Sequence, residues 1–230
     1  MREYSKQWSN TLGRDMEVLR FGTSGLPLLV FPTSMGRFYQ WEDFGMIRAL
    51  GDKIESGLLQ LYCVDSVDDE SWYAKSRPGR DRVQRHLAYE RYVLDEFLPR
   101  VPGQPVTVGA SFGALHALLV VLRHPDRFDG FIGLSGAFDT RTWLNGYFDQ
   151  DVFYTNPMAF LPGLTDDRYL APLRRMEKRV IATGAEDRHV EESRRIGALL
   201  REQGVQVQLD IWPGWSHDWP YWMEMMRRYV

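Results

Sequence analysis

Short apolar runs bounded by glycine and proline recur along the chain, spaced so that a helix fits between most of them. Residues 25–31, 58–64, 105–109, 131–135, 179–183 and 205–212 form this set. Runs of that length, rich in Leu, Val and Ile, predict strands buried on both faces of a parallel sheet. Asp81–Leu98 sets Val83, His86, Leu87, Val93, Leu94 and Phe97 on one helical face. Glu90 interrupts that stripe, which predicts a helix with a partly exposed centre. Phe112–Arg123 is apolar nearly all round, as a helix packed on both sides would be. Val190–Gln203 and Trp219–Tyr229 read as two more helices. Ahead of all these, Glu3–Ser9 and Asp15–Phe21 read as an antiparallel pair joined near Leu12-Gly13-Arg14. The alternation predicts an α/β fold with right-handed crossovers. Its sheet has about eight strands, mostly parallel and twisted, with an antiparallel N-terminal edge and helices on both faces.

Residues 136–178 break the rhythm. They connect two strands and carry Phe138, Trp143, Tyr147, Phe148, Phe153, Tyr154 and Phe160. Two places fit such an insertion: over the crevice at the carboxyl ends of the strands, or against the outside of the sheet. At 230 residues, one domain over 1–230 accommodates the whole pattern.

Composition narrows the picture. The chain is 44% apolar and 26% charged, which excludes disorder and fits an ordinary globular protein. Its single cysteine, Cys63, cannot form an internal disulfide and falls inside a predicted buried strand. A net charge of −3 and the lack of any block of like charges argue against a nucleic-acid partner. Doublets such as Arg174-Arg175 and Arg227-Arg228 read as solvated helix faces. No run of 18 apolar residues is present, so no membrane span is expected. The first residues lack the apolar core of a signal peptide, and the expectation is a cytoplasmic protein.

Candidate chemistry begins at Gly109-Ala110-Ser111-Phe112-Gly113, a G-x-S-x-G pattern between a predicted strand and a predicted helix. A turn tight enough to lift a serine hydroxyl off a strand end leaves no room for side chains two residues either way, hence the glycines. Ser111 is the candidate nucleophile. The Phe112 amide, at a helix N-terminus, is a candidate donor to a developing oxyanion. In this architecture an acid and then a histidine follow the serine. Glu186-Asp187 sits on the loop after one strand and His217 on the loop after the last. Asp187 is preferred as the acid over Glu186, and His217 as the base over His189. The acid orients the imidazole and stabilises its protonated form. His116 reads as a buried, hydrogen-bonded packing residue, and Asp218 as the cap of the last helix. A second oxyanion donor belongs on the loop after the first parallel strand, Pro32-Thr33-Ser34-Met35-Gly36. There the Ser34 amide is preferred over that of Met35. Met35, Trp41 and Trp143 are candidate substrate contacts, with Phe38, Trp72, Tyr73 and Phe112 as further apolar positions near Ser111. Asp65, Asp68, Asp69 and Glu70 follow a central strand without the spacing of a calcium loop.

These motifs carry a resemblance. Leu12-Gly13-Arg14-Asp15-Met16, Gly109–Gly113, Leu134-Ser135-Gly136-Ala137-Phe138 and Gly214-Trp215-Ser216-His217-Asp218-Trp219, followed by Tyr221-Trp222, run through nearly the whole chain. Together they resemble the α/β-hydrolase family that includes esterase D, enterochelin esterases and mycolyltransferases. The resemblance implies an α/β-hydrolase fold and hydrolysis of a small-molecule ester or thioester through an acyl-enzyme. It also implies that no metal or organic cofactor takes part. Acyl transfer by the same residues is the alternative. The chain departs from its relatives at the head of the oxyanion loop, where they carry His-Gly and it carries Pro32-Thr33. It is also too short to hold a full cap domain.

Overall fold

The computed structural model describes residues 1–230. Eight strands form one sheet: β1 (Arg2–Ser9), β2 (Arg14–Phe21), β3 (Leu26–Phe31), β4 (Leu59–Val64), β5 (Val106–Ala110), β6 (Gly130–Leu134), β7 (Lys178–Gly184) and β8 (Gln208–Trp212). Their spatial order is β1-β2-β4-β3-β5-β6-β7-β8. The six strands from β3 on are parallel to one another, while β2 pairs antiparallel with both β1 and β4. The expected α/β-hydrolase architecture is therefore observed, including its antiparallel edge.

Alternate residues of the central strands feed two cores. Leu28 and Val30 point to one and Leu29 and Phe31 to the other, which is why the strand reads as an unbroken apolar run. The first core packs α4 (Gly79–Arg91), α5 (Phe112–Arg123), α8 (Asp167–Arg175) and α9 (Val190–Glu202) on the sheet. The second packs the short helices α1 (Gln40–Asp43), α2 (Met46–Ala49) and α3 (Gly51–Glu55), together with α10 (Trp219–Tyr229). Two further short helices, α6 (Gln150–Tyr154) and α7 (Pro157–Phe160), lie within the 136–178 segment. No helix is long and apolar enough to cross a membrane. Cys63 is buried in β4.

The helix predicted for 81–98 differs from expectation in two ways. Beyond Arg91 it widens into a π-helical turn over Tyr92–Phe97 and ends in a 3₁₀ turn at Leu98–Arg100. The wider turn keeps Tyr92, Val93, Leu94 and Phe97 all facing the core. Its centre is not exposed either: Glu90 is 7% exposed. Arg123 Nε donates to both Glu90 carboxylate oxygens (2.8 and 3.0 Å), and His124 Nε2 lies 2.9 Å from one of them. A polar break in an apolar stripe marks a buried ion pair with Arg123 here, because the partners of Glu90 arrive from the end of α5. Burial alone would raise the Glu90 pKa, yet the His124 bond and the Arg123 charge bring it down to about 2.

His86, on the same helix, is 2% exposed, and neither ring nitrogen has a hydrogen-bond partner. Burial and the neighbouring His116 lower its pKa to about 3. A histidine held neutral in the fold takes up a proton when the chain unfolds, so its effect on stability is lost as pH falls from 6.5 towards 3. Between pH 8 and pH 5 the expected loss is about 2 kcal/mol. Glu90 acts in the same direction only below the ordinary glutamate range, so within this window the part due to His86 is the difference between the wild type and a variant that lacks it. Urea unfolding at both pH values should show the loss in the wild type and a clearly smaller one in His86→Leu. Equal losses in the two proteins would overturn the assignment.

Candidate active site

The carboxyl ends of β3, β5, β7 and β8 bring the candidate residues to one crevice. Ser111 follows β5 directly, with φ 55° and ψ −121°. Its amide donates to the Leu134 carbonyl (2.8 Å), and its carbonyl accepts from the amides of Ala114 (3.1 Å) and Ala137 (3.3 Å). The turn is thus pinned between β5, β6 and α5. A Cβ at Gly109 would collide with the Gly113 carbonyl, and one at Gly113 with the Phe31 and Pro32 carbonyls. These contacts give the G-x-S-x-G pattern its steric reason.

His217 lies on the loop between β8 and α10. Asp218 is extended and caps α10, its carboxylate accepting from the Trp219 amide (2.7 Å). His217 Nε2 is 3.0 Å from Ser111 Oγ, and Nδ1 is 3.0 and 3.1 Å from the two Asp187 oxygens. Trp222 meets the imidazole edge-on at 4.9 Å and donates Nε1–H to Ser135 Oγ (2.9 Å). Asp187 is buried and also accepts from the His189 amide (2.8 Å). Burial pushes its pKa up, but hydrogen bonds from His217, the His189 amide and Ser135 outweigh that and hold it below the ordinary aspartate value. An ionised Asp187 requires the proton on Nδ1, which leaves the Nε2 lone pair facing the serine hydroxyl.

The rival residues lie elsewhere. Glu186 is exposed. His189 sits beside His217, ring centroids 5.3 Å apart, and pairs through Nδ1 with Glu192 (2.9 Å) rather than with Ser111. His116 is buried, as expected, and its Nε2 meets Asp68 Oδ1 at 3.2 Å.

The amides of Phe112 and Ser34 have no acceptor within the protein, whereas the Met35 amide donates to Asp68 Oδ2 (3.0 Å). Gln40 holds the head of the loop after β3, its Oε1 accepting from the Thr33 amide and its Nε2 donating to Thr33 Oγ1, both at 2.8 Å. Tyr73 donates its hydroxyl to Ser34 Oγ (2.7 Å). None of Gln40, Asp68 or Tyr73 was assigned this bracing role from the sequence: Asp68 and Tyr73 lie on a loop beyond β4 that carries no motif, and Gln40 opens a helix of only four residues.

Among the candidate substrate contacts, Met35 lies on the loop after β3 and is 51% exposed. Trp143 is half-buried, packs on Phe112 (4.8 Å) and Tyr73 (6.3 Å), and its carbonyl accepts from buried Arg82 (2.7 Å). Trp41 requires correction. It is 1% exposed and belongs to the core under α10, because α1 turns its indole inward onto the sheet. Phe38 and Trp72 are likewise core residues. No group of three or more His, Cys, Asp or Glu side chains is placed to hold a metal ion.

Residues 70–228 match the model of the prolyl oligopeptidase family. The chain belongs to that family. It is accordingly a serine hydrolase of α/β-hydrolase fold. No curated protein sequence matches it. Among solved structures, a ferulic acid esterase superposes with a TM-score of 0.78 at 18% identity, over 99% of this chain and 95% of that one. An S-formylglutathione hydrolase from Agrobacterium tumefaciens gives 0.71 at 14% identity, over 100% and 94%. Another from Staphylococcus aureus gives 0.68 at 17% identity, over 99% and 96%. At these identities the likeness is one of fold, and it agrees with the esterase resemblance read from the motifs of this prolyl oligopeptidase family member.

Proposed function

We propose that the protein hydrolyses carboxylic esters through an acyl-enzyme on Ser111. The observation that carries this reading is the continuous hydrogen-bond path from Ser111 Oγ through His217 to Asp187. His217 Nε2 takes the serine proton as Oγ attacks the ester carbonyl. The Phe112 and Ser34 amides receive the negative charge that builds on the carbonyl oxygen. Asp187 holds the imidazole in place and stabilises its protonated form. His217 then passes its proton to the departing alcohol, and in the second half-reaction it activates water to release the acid. The beginning of the 136–178 segment overhangs this crevice at Trp143. With Tyr73 and Met35, Trp143 offers an apolar wall to an acyl or alcohol group.

The test is a substrate panel: p-nitrophenyl acetate, butyrate and octanoate, one matched thioester, and a prolyl p-nitroanilide. Turnover of the esters is expected to exceed that of the anilide by at least tenfold. Faster anilide cleavage would replace the ester reading with an amide one. Faster thioester cleavage would make the protein a thioesterase. A product shift from acid to ester when alcohol acceptors are added would make it an acyltransferase.

A further inference from the structure

The acidic segment after β4 supplies no group to the proton transfers above, yet it touches the oxyanion loop at three consecutive residues: Ser66 Oγ donates to the Gly36 carbonyl (2.8 Å), and Asp68 and Tyr73 reach Met35 and Ser34. Asp68 is 1% exposed, and both of its carboxylate oxygens are used. Oδ2 accepts the Met35 amide (3.0 Å) and Oδ1 meets His116 Nε2 (3.2 Å). His116 is fixed in turn on α5, one turn beyond Phe112, and its ring contacts those of Phe31, Phe112 and Tyr89. Met35 itself adopts φ 57°, a left-handed conformation that a residue with a Cβ holds only when its surroundings impose it. Five residues along the same segment, the Tyr73 hydroxyl donates to Ser34 Oγ (2.7 Å), and the Tyr73 ring stands edge-on to Phe112 (5.4 Å).

Three consecutive residues of the oxyanion loop are therefore tied down, Ser34 by its side chain, Met35 by its amide and Gly36 by its carbonyl. Between the occupied amides of Thr33 and Met35, the Ser34 amide is left without an acceptor. We infer that Asp68 and Tyr73 are positioning residues for the oxyanion hole, holding the Ser34 N–H at a fixed place relative to the Phe112 N–H. This inference rests on the proposed function. Asp68 bridges the two donors: one oxygen grips the loop that carries Ser34, and the other grips the helix that begins with Phe112. The bridge also accounts for a chain that lacks His-Gly at the head of this loop. The order comes from a buried carboxylate and from Gln40 on Thr33, in place of a conformationally permissive glycine.

An oxyanion donor stabilises the transition state more than the bound ester, so loosening its placement lowers kcat and leaves KM nearly unchanged. Asp68→Ala is thus expected to lower ester kcat by about 10- to 100-fold with KM within about 3-fold, since complete loss of a donor costs about 10²–10³. Active sites are counted by end-point labelling with a fluorophosphonate, so an unfolded fraction does not enter kcat. Affinity for a trifluoromethyl ketone, whose adduct with Ser111 carries a full oxyanion, should fall by the same factor. Asp68→Asn keeps an acceptor for the Met35 amide and, with the other His116 tautomer, a donor for Nε2. It should restore most of the activity. Tyr73→Phe removes a single hydroxyl from a half-buried ring and serves if Asp68→Ala does not fold. It should lower kcat and ketone affinity together by about 3- to 10-fold.

The inference is overturned if kcat per labelled site and ketone affinity stay at wild-type values in Asp68→Ala or, where that variant does not fold, in Tyr73→Phe. It is also overturned if Asp68→Asn falls as far as Asp68→Ala. Failure of the functional reading looks different: the wild type then turns over no ester. In that case the rate of fluorophosphonate labelling, which also loads charge onto the hole, still separates wild type from Asp68→Ala.

Discussion

Replacing Ser111 by alanine is expected to lower ester kcat by about 10⁶-fold, as loss of a triad nucleophile does in a serine protease. The structure makes this an unusually clean substitution. Ser111 Oγ has one partner, His217 Nε2, so its removal orphans no other buried group. The strained backbone at φ 55° is held by Leu134, Ala114 and Ala137 through main-chain groups that alanine retains. Serine and alanine both carry a Cβ and pay the same penalty at positive φ. Thermal stability should therefore stay close to wild type while activity collapses and fluorophosphonate labelling disappears. Residual turnover of about 10³–10⁴ over the uncatalysed rate would come from the free Phe112 and Ser34 amides and from substrate binding. Wild-type turnover in the variant would mean that another group is the nucleophile and that the Ser111–His217 contact serves only the fold.

The parts of this molecule that were legible in advance are those that local sterics and periodicity dictate. The doubly buried strands announce themselves because residues such as Leu28, Leu29, Val30 and Phe31 must satisfy two cores at once. Gly109 and Gly113 are legible because their neighbours leave no volume for a Cβ. Asp218 was legible as a cap, since an aspartate before Trp219-Pro220 can satisfy a free helix amide whatever lies around it. The placement of Asp187 and His217 beside Ser111, on which their proposed roles as acid and base rest, follows from chain order, because each lies on the loop after its strand.

Where that reading failed, the deciding partner came from far along the chain. Glu90 looked like a solvated break, but its partners are Arg123 and His124 at the end of another helix. Trp41 looked available to a substrate. It sits on a helix of four residues, too short for any period to show which way the indole turns. The preference for the Ser34 amide over that of Met35 had no local basis either. It depends on Asp68, 33 positions away from Met35 and on a different loop.

Asp187→Asn is the second large effect, expected at about 10⁴-fold in kcat, or about 5 kcal/mol of transition-state stabilisation. The asparagine is nearly the same size, so the loop after β7 should keep its shape and the loss should come from proton placement. In the wild type the carboxylate accepts twice over, from His217 Nδ1 and from the His189 amide. The amide of His189 can only donate, so it claims the single carbonyl oxygen of asparagine. The asparagine NH₂ then faces Nδ1 and donates to it. His217 must move its proton to Nε2, where it points at Ser111 Oγ and removes the lone pair that should accept the serine proton. Glu186→Gln is the matched control: its side chain is exposed, and the substitution should change kcat by less than about 2-fold. Both variants are measured on one ester, with kcat taken per total protein rather than per labelled site, because labelling itself needs the base. A loss below tenfold in Asp187→Asn, or a larger loss in Glu186→Gln, would move the acid's role off Asp187. A larger loss in Glu186→Gln would assign the role to Glu186; without one, the imidazole would have to act without an acidic partner, since Asp187 is the carboxylate bonded to His217 Nδ1.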